Sequence, residues 1–395
     1  MNKTKKKAVF HTTEVVVLII LTCIVSIIMG FLIRERMDTS LSLQITNDKH
    51  VKKFLEDYQY IMDNYYGEVD SETLMDGALN GMLEVLGDDY SMVLKDNSFD
   101  AQLEGNYEGI GVQIYQSDDG NILITNVFEG SSAEKAGLIV GDIIVSIDGV
   151  SFVDKDASEV TNYIFNSKTN SFEFVISRDG EKKNMVLNRS SVVIPSVEDN
   201  IYEKNGKKIG YIYIDIFANA TSTQFSNSLL NLEKQNIDGL IIDVRGNSGG
   251  HLTTVVDILS NFLDNKKVIY QTQTKNETKK FYSNGNKTKK YPIVILQDGG
   301  SASASELLAI ALKEQYGAII VGDVSYGKGT VQEVVNSGDT EYKFTTKKWL
   351  SPNGTWIHGT GVEPDVKVVL DSLYYDNPTD QNDNQLQTAL DELCK

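Results

Sequence analysis

The sequence predicts a mixed α/β protein with a layered α/β core, a smaller β-rich module, an N-terminal helical segment and one transmembrane helix. Three observations predict this class. A 19-residue run without a charge, Val15–Ile33, lies near the N-terminus. Short β patterns broken by glycines follow from Gly105, and from Val192 longer apolar strands alternate with helical patterns. Strands that alternate with helices are typical of a sheet covered by helices.

Length and composition exclude several classes of protein. At 395 residues the chain is long enough for two or three domains with separate cores. Its net charge of −18 argues against a nucleic-acid-binding protein, because phosphates require a basic surface. The only two cysteines are Cys23, inside the apolar run, and Cys394, so no framework disulfide is expected. The four histidines form no metal-ligand pattern, and we expect neither a metal nor a cofactor.

The apolar run predicts a transmembrane signal anchor over residues 14–34. A helix of that run would span about 28 Å, close to the ~30 Å hydrocarbon core of a bilayer. A cleaved signal peptide would have a shorter apolar region and a small-x-small cleavage site, and neither is clear. Four lysines precede the run, whereas the two arginines after it are balanced by acidic residues. This asymmetry predicts a cytoplasmic N-terminus, residues 1–13, and an extracytoplasmic main part of a single-pass cell-membrane protein.

Shifts of pattern divide the remaining chain into four parts. Residues 35–103 are predicted to be helical, because apolar residues recur there at 3.6-residue spacing. Residues 104–190 form the β-rich module, and residues 191–370 form the layered α/β core. Residues 371–395 predict a polar linker that leads into a short amphipathic helix from Asn384.

Three serines stand at alternate positions directly before an apolar helical pattern. They are Ser301, Ser303 and Ser305. Ser303 and Glu306 have the spacing of a capping box, in which each side chain satisfies a backbone N–H of the first helical turn. A helix start is therefore sufficient to explain the motif. The alternative is that one serine is a nucleophile, which requires a base to accept its proton.

The sequence offers three candidate bases for such a serine. His251 and His358 lie in motifs that do not support the role, and each is alternatively an exposed loop residue. Lys328 lies between two glycines and is a solvated turn lysine unless burial lowers its pKa from about 10.4 towards neutrality. Gln332, four residues on, would orient the neutral amine by a hydrogen bond if the segment turns helically.

The β-rich module contains a loop suited to hold a chain end. Glycines before a strand can turn successive N–H groups towards a terminal carboxylate, and an open strand edge can accept a peptide strand. An ordinary tight turn is the alternative. The run "NVFEGSSAEKAGLIVGDIIVSIDG" resembles a PDZ domain, over Glu104 to about Asn188. The resemblance implies a carboxylate loop and groove formed by Gly109, Ile110, Gly111, Val112, Val160 and Ile164.

Four motifs follow one another along the second half of the chain: "GLIIDVRGNSGG", "GGSASASELLAIAL", "YGKGTVQ" and "SPNGTWIHGTGVEPDV". Their order resembles that in carboxyl-terminal processing peptidases, the tail-specific serine proteases, and the resemblance runs from about Val51 to the C-terminus. It implies that Ser303 is the nucleophile, that Lys328, 25 residues later, is the base, and that Gln332 orients the base. It also implies a core similar to crotonase and Clp protease. The departures, His251 where the family often has Leu and "GDDYS" where it usually has DDPYS, do not touch the catalytic pair.

The same resemblance implies further roles. The backbone N–H of Ala304 would stabilise the oxyanion at the positive end of the helix, together with that of Gly249 or, alternatively, Gly250. Arg178, at the end of a strand of the module, is a candidate regulatory residue and alternatively a surface arginine. The PDZ domain would cover the cleft until a peptide end docks, and a homodimer through the terminal segments is expected.

The predicted function is that of a membrane-anchored serine endopeptidase. Its PDZ domain would bind unstructured protein C-termini with apolar ends, and its Ser–Lys pair would cleave them through an acyl-enzyme. Two other classes of function remain as alternatives. A non-catalytic PDZ scaffold would have no need of the lysine. A different enzyme on a crotonase-like core would have no need of the PDZ domain.

Overall fold

The computed structural model describes residues 48–94, 103–117, 119–286, 289, 291–337 and 340–395. The predicted transmembrane segment and the basic N-terminus lie outside the described residues, and both stay predictions. Within the described ranges, no helix has the length and apolar character needed to cross a membrane. The chain divides into two compact units, Met1–Met82 and Leu83–Lys395.

The first unit is helical where it is described. Helix α1 is Lys49–Asn64, and α2 begins at Ser71 and continues to Glu84. Both lie where the 3.6-residue spacing of apolar residues predicts helices. The Tyr58 hydroxyl and Ser71 Oγ, 2.7 Å apart, connect the two helices by a hydrogen bond.

The β-rich module consists of a six-stranded antiparallel sheet, a two-stranded ribbon and two helices. After β1 (Met92–Leu94), its elements are β2 (Asn106–Gly109), β3 (Val112–Gln116), β4 (Ile122–Val127), α3 (Ser132–Ala136), β5 (Ile143–Ile147), β6 (Val150–Ser151), α4 (Ala157–Asn166), β7 (Ser171–Arg178), β8 (Glu181–Asn188) and β9 (Ser190–Val193). The order in the sheet is β3-β4-β5-β7-β8, with β6 on β5, and β2 pairs with β9. Its core is separate from that of the α/β part and joins Ile122 and Phe172 to Val160 of α4.

The α/β core is built on a second six-stranded sheet and a five-stranded sheet. Its elements are β10 (Val197–Lys204), β11 (Lys207–Ile214), α5 (Thr221–Lys234), β12 (Gly239–Asp243), α6 (Leu252–Leu259), β13 (Val268–Gln273), β14 (Thr278–Tyr282), β15 (Ile293–Gln297), α7 (Ala304–Tyr316), β16 (Ile319–Gly322), β17 (Thr330–Ser337), β18 (Thr340–Leu350), β19 (Val366–Lys367), α8 (Ser372–Asp376) and α9 (Asn384–Cys394).

The six-stranded sheet is buried on both faces at its central strands, β12 and β15. Its order is β10-β11-β12-β15-β16-β19, and all neighbours except β10 and β11 are parallel. Successive strand residues point to opposite faces, so Ile242 packs with the helices α5 to α7 while Ile241 packs with α9. Burial on both faces is why β12 and β15 have nearly continuous apolar sequences.

Three loops meet at one edge of this sheet. Parallel strands β12, β15 and β16 are adjacent, and each is followed at its carboxyl end by a loop that carries a predicted site residue. The loop after β12 holds Gly249, that after β15 ends at Ser303, and that after β16 holds Lys328. Because the carboxyl ends of parallel strands lie at the same edge, the topology brings these three segments together.

The five-stranded sheet lies beside that edge and supplies further residues around it. Its order is β1-β18-β13-β14, and β17 also pairs with β18. Strand β1 lies antiparallel to β18, with Met92 opposite Lys343. The segment before the β-rich module is thereby joined to a strand that follows the lysine loop.

Candidate active site

Ser303 occupies a strained backbone position at the start of α7. Its φ of +54° and ψ of −109° are unusual for a residue with a side chain, and such strain is concentrated at functional sites. Ser303 is half-buried, whereas Ala304 and Ser305 after it are buried. The Ser303 N–H donates to Glu306 Oε2 at 2.7 Å, which is the carboxylate part of the predicted capping box. The serine therefore starts the helix and also presents its side chain at the helix mouth.

The two flanking serines hold this turn against the loop after β12. Ser301 Oγ donates to the Val244 carbonyl at 2.7 Å. Ser305 Oγ donates to the Asn247 carbonyl at 2.8 Å. Both serines are fully buried, so these hydrogen bonds are shielded from water. They fix the turn at Ser303 to the glycine loop, a role that the sequence motif alone does not reveal.

Glu306 joins the turn at Ser303 to the loop that holds Lys328. Its carboxylate is fully buried and, besides Ser303, accepts three hydrogen bonds from residues 325–328. The N–H of Gly327 donates to Oε1 at 2.6 Å and that of Lys328 to Oε2 at 2.8 Å, while Ser325 Oγ donates to Oε1 at 2.6 Å. One side chain thus fixes the spacing between the two loops. The sequence identified Glu306 only as a capping residue.

Lys328 is largely buried, and its pKa is lowered. Burial is the main cause, because it disfavours the charged amine, and the positive charge of Lys343 acts in the same direction. Asp88 and Glu306 oppose the shift without reversing it. The Nζ lies 4.6 Å from the ring centroid of Tyr90. The environment is therefore one in which the amine loses its proton more readily than an ordinary lysine.

Gln332 lies on a strand, so the helical turn considered from the sequence is wrong for this segment. A β-bulge interrupts the pairing of β17 with β18 between Val331 and Gln332. Bulges commonly redirect a side chain next to a functional site. The Gln332 amide nitrogen donates to Thr330 Oγ1 at 3.0 Å and to Thr345 Oγ1 at 2.9 Å. These bonds fix the amide and direct its donor group to the two threonines.

One cavity brings the predicted catalytic residues together. It has a volume of about 380 Å³ and is lined by Ser303, Lys328, Gln332 and Gly250. The remaining walls are largely apolar and come from four different segments of the chain. The apolar lining residues are Met92, Leu94, Leu103, Leu252, Val331 and Val334.

The glycine loop beside Ser303 differs in detail from the expectation. The Gly249 N–H donates to the buried Asn247 Oδ1 at 2.8 Å, so this donor is directed into the loop. Asn247 is in turn held by its Nδ2, which donates to the Ile214 carbonyl at 2.8 Å. Gly250, the alternative, lines the cavity with Ser303. A Cβ on Gly250 would lie 2.3 Å from the Phe217 carbonyl oxygen, so only glycine fits there.

The described contacts of the two histidines do not connect them to Ser303. His358 Nδ1 accepts the N–H of Gly329 at 3.3 Å, and its ring stacks on Trp356 at a centroid distance of 5.2 Å. His251 stands before α6, where its N–H donates to the Phe217 carbonyl at 2.8 Å. Neither imidazole is among the described residues that line the cavity.

A second cavity lies between β3 and α4 in the β-rich module. Its volume is about 450 Å³, and it is lined by five of the six predicted groove residues, Gly109, Ile110, Val112, Val160 and Ile164. The sixth, Gly111, has a φ of +90° and packs on Ser131 instead, where an added Cβ would come within 2.1 Å of the serine Cβ. Strand β3 is an outermost strand of the sheet. Among the described residues no strand pairs with its outer edge, which lies beside the cavity.

Comparison with known proteins identifies the family. Three family descriptions match successive parts of the chain: the activating protease CtpB N-terminal domain over residues 32–98, a PDZ domain over 123–178 and peptidase family S41 over 208–368. The chain is 40% identical over 328 residues to the carboxy-terminal processing protease CtpB of Bacillus subtilis (strain 168), which covers 81% of this chain and 68% of that protein. The chain belongs to the carboxy-terminal processing proteases of peptidase family S41.

Two further similarities agree with this family. The carboxy-terminal processing protease CtpA of Bacillus subtilis (strain 168) is 33% identical over 332 residues, or 82% of this chain and 70% of that protein. The solved photosystem II D1 C-terminal processing protease matches with a TM-score of 0.50 at 25% identity, over 83% of this chain and 89% of that one. The resemblance that the four motifs indicated is confirmed, and the mixed α/β protease fold carries a PDZ domain. This S41 protease is therefore a serine-type C-terminal processing enzyme. The family assignment argues against both alternatives, a non-catalytic PDZ scaffold and a different enzyme on a crotonase-like core.

Arg178 of this S41 protease forms an ion pair inside the PDZ domain. Its Nε donates to Asp142 Oδ1 at 2.6 Å, and its Nη2 donates to Asp142 Oδ2 at 2.7 Å and to the Gly137 carbonyl at 2.8 Å. Asp142 is fully buried, and the arginine side chain is 20% exposed. The contacts give Arg178 a structural role within the domain, and its regulatory role stays a prediction.

Proposed function

We propose that this protein is a membrane-anchored serine endopeptidase whose PDZ groove binds unstructured protein C-termini and whose Ser303–Lys328 pair cleaves the bound chain. The observation that carries the proposal is that Ser303 and Lys328, both half-buried, line one cavity, with their two loops joined by the Glu306 carboxylate. A serine beside a lysine of lowered pKa is the arrangement that nucleophilic catalysis requires.

In the first step, neutral Lys328 Nζ accepts the Ser303 hydroxyl proton while Oγ attacks the scissile carbonyl carbon. The electron pair of the carbonyl π bond moves to its oxygen. This oxyanion accepts hydrogen bonds from the Ala304 N–H, at the positive end of α7, and from the Gly250 N–H. We choose Gly250 over Gly249 because the Gly249 N–H already donates to Asn247. Each such donor is worth about 3 kcal/mol in serine proteases.

Collapse of the tetrahedral intermediate releases the amine and leaves an acyl-enzyme. The C–N bond breaks as the nitrogen takes the proton from the Lys328 ammonium group, and Ser303 remains as an ester. A water then gives its proton to neutral Lys328 and attacks the ester carbon, and the proton returns to Ser303 Oγ when the C–O bond breaks. We assign Gln332 Oε1 the role of accepting from the lysine amine, because the Gln332 amide nitrogen is fixed by two threonines.

The substrate in this proposal is a flexible chain with an apolar C-terminus. The groove beside β3 has apolar walls that include Ile110, Val160 and Ile164, which suits an apolar final side chain. The largely apolar lining of the catalytic cavity suits an apolar residue before the cleaved bond. Peptide docking in the groove would favour the open form of the cleft, and Arg178 is our candidate for the residue that responds to it.

The proposal includes a single-pass anchor, residues 14–34, an extracytoplasmic catalytic part and a homodimer. The anchor rests on the apolar run and the lysines before it. Protease added to intact cells should digest the catalytic part and spare a tag on residues 1–13; the reverse result would contradict the orientation. Sedimentation of the catalytic part at a range of concentrations tests the dimer.

Digestion of an unfolded protein with an apolar C-terminus tests the proposal. Wild-type enzyme should shorten it, and Ser303→Ala and Lys328→Ala should leave it intact. The same protein with a C-terminal amide should be cut poorly by the wild type, because the groove binds a carboxylate. Cleavage by Ser303→Ala at the wild-type rate would overturn the proposal.

A further inference from the structure

The segment Asp88–Ser91 contacts the catalytic lysine from outside the α/β core. Its sequence, "DDYS", departs from the family pattern. Lys328 Nζ lies 4.6 Å from the centroid of the Tyr90 ring, within the range of a cation–π contact. Tyr90 is therefore the aromatic residue whose ring faces the amine of the base.

The backbone around Tyr90 holds the ring in this place. Asp88 Oδ1 accepts the Tyr90 N–H at 3.3 Å, and the Asp88 carbonyl accepts the Ser91 N–H at 3.0 Å. Ser91 Oγ donates to the Asp88 carboxylate and accepts the Thr345 N–H at 3.2 Å. Because Thr345 also holds Gln332, the Tyr90 turn and the catalytic cavity share one support.

A second aromatic side chain, His358, packs against Tyr90. The Tyr90 and His358 rings meet edge to face at a centroid distance of 6.4 Å. His358 in turn accepts the N–H of Gly329, the residue after the lysine. Tyr90 therefore contacts the lysine side chain directly and, through His358, the loop that carries the lysine.

We propose that Tyr90 is a positioning residue for Lys328, whose ring face holds the ammonium group near the cavity and stabilises the charged form against burial. This inference rests on the proposed role of Lys328 as the base. The ring excludes water from one side of the amine and replaces the lost hydration in part by its negative π face. The residue thereby sets the pH at which the base becomes neutral, without contacting the substrate.

Three charged groups besides the Tyr90 ring act on the Lys328 amine. Burial and Lys343 of β18 lower the lysine pKa, whereas Asp88 and Glu306 raise it. Burial, Tyr326 and nearby carboxylates raise the pKa of the Tyr90 phenol, so the ring stays neutral through the working range of pH. The contact with Lys328 is therefore between a cation and a neutral ring.

The pH dependence of kcat/KM separates this role from simple packing, because its acid limb reports the pKa of the essential base. Tyr90→Leu keeps an apolar cover and removes the π face, so the acid limb should move to lower pH by about one unit. Tyr90→Phe keeps the π face and should leave the limb in place. Tyr90→Ala admits water to the ammonium group, so its limb should move to higher pH.

Two controls make the result specific. Phe281→Leu removes the ring of another lysine–aromatic contact, Lys279 Nζ at 5.1 Å from the Phe281 centroid, and should leave the limb unchanged. When a Tyr90 variant is inactive, an NMR titration measures the pKa of Lys328 directly. The lysine side chains are isotopically labelled for this purpose in the Ser303→Ala background. Lys328→Arg identifies the signal.

The inference is overturned if Tyr90→Leu leaves the lysine titration in place or moves it to higher pH, or if Tyr90→Phe shifts it as far as Tyr90→Leu does. Failure of the proposed function would be recognised by a different result. In that case Lys328→Ala retains full activity, while the NMR titration still reports whether the ring affects the amine.

Discussion

Glu306 Oε2 lies 2.8 Å from the backbone nitrogen of Lys328, a residue 22 positions later in the chain. The same oxygen accepts the Ser303 N–H at 2.7 Å. The start of α7 and the lysine loop are therefore held at a fixed spacing by one buried carboxylate. In the proposed reaction, which needs reacting atoms at about 3 Å, this spacing would decide whether Lys328 reaches Ser303.

Replacing this carboxylate should cost both activity and stability. In Glu306→Gln one acceptor oxygen becomes a donor that faces N–H groups, so we expect kcat to fall at least about 100-fold and the free energy of unfolding to fall by about 3 kcal/mol. Urea unfolding and steady-state kinetics measure the two effects. A folded, fully active Glu306→Gln enzyme would contradict the role of the carboxylate.

Lys328 predicts the pH dependence of activity. In the proposed mechanism the neutral amine is the active form, so kcat/KM should rise with pH through the lysine pKa and reach its plateau below 10.5, the ordinary lysine value. Lys328→Arg should lose activity at every pH, because arginine stays protonated. A rate profile from pH 5 to 10.5 with wild-type and Ser303→Ala enzyme as controls tests this expectation. A wild-type acid limb that persists in Lys328→Arg would show that another group is the base.

The same lysine should reduce the stability of the fold. Since its folded-state pKa lies below the unfolded value, the unfolded chain binds more protons between the two, and stability rises with pH over that window. Lys328→Met should therefore be inactive and more stable at neutral pH, by about 0.5–2 kcal/mol, with a weaker dependence of stability on pH. Thermal unfolding at several pH values measures it, and a less stable variant would contradict the burial cost.

We predict that Phe165, an exposed residue of the PDZ groove, contributes to peptide binding. Phe165 lines the groove and is 70% exposed, so Phe165→Ala should leave the fold intact. Its loss of apolar contact should weaken binding of a peptide with an apolar C-terminus about 5- to 10-fold. Val186→Ala, also exposed but on β8 at the other edge of the sheet, is the matched control. Equal affinities of Phe165→Ala and wild type, measured by calorimetry, would place the peptide elsewhere.

The buried pair of Arg245 and Asp383 predicts a large loss of stability. Arg245 Nη2 lies 2.9 Å from Asp383 Oδ2, and Asp383 Oδ1 accepts the Leu386 N–H at the start of α9. Asp383→Ala leaves the buried arginine without one partner and should cost about 3–5 kcal/mol. Asp391→Ala, which removes a largely exposed carboxylate from the same helix, should cost less than about 1 kcal/mol. Similar losses in the two variants would contradict this account.

The elements that depend on local pattern were predictable from the sequence. Strands β12 and β15 are buried at every position and apolar except at one end, where Asp243 and Gln297 stand, because both faces are covered. The capping pair Ser303 and Glu306 marks where α7 begins. The motif order also predicted that Ser303 and Lys328 belong together, and the topology of three adjacent parallel strands explains why.

The long-range contacts were not predictable in the same way. Tyr90 reaches Lys328 only because β1 pairs with β18, and no local pattern specifies that pairing. The hydrogen bond from the Gly249 N–H to Asn247 Oδ1 depends on a loop conformation that the spacing of residues in the motif does not determine. The four-residue spacing would bring Gln332 beside the lysine only if the segment turned helically, whereas pairing with β18 makes this segment a strand.

The most direct test of the central claim is the mass of the enzyme after reaction with a fluorophosphonate, which labels activated serines. Wild-type enzyme should gain one adduct, located by peptide mapping at Ser303, and Ser303→Ala should gain none. In Lys328→Met the rate of labelling should fall by at least about 100-fold, because no base removes the serine proton. Labelling of another serine, or an unchanged rate in Lys328→Met, would contradict the proposed Ser303–Lys328 mechanism.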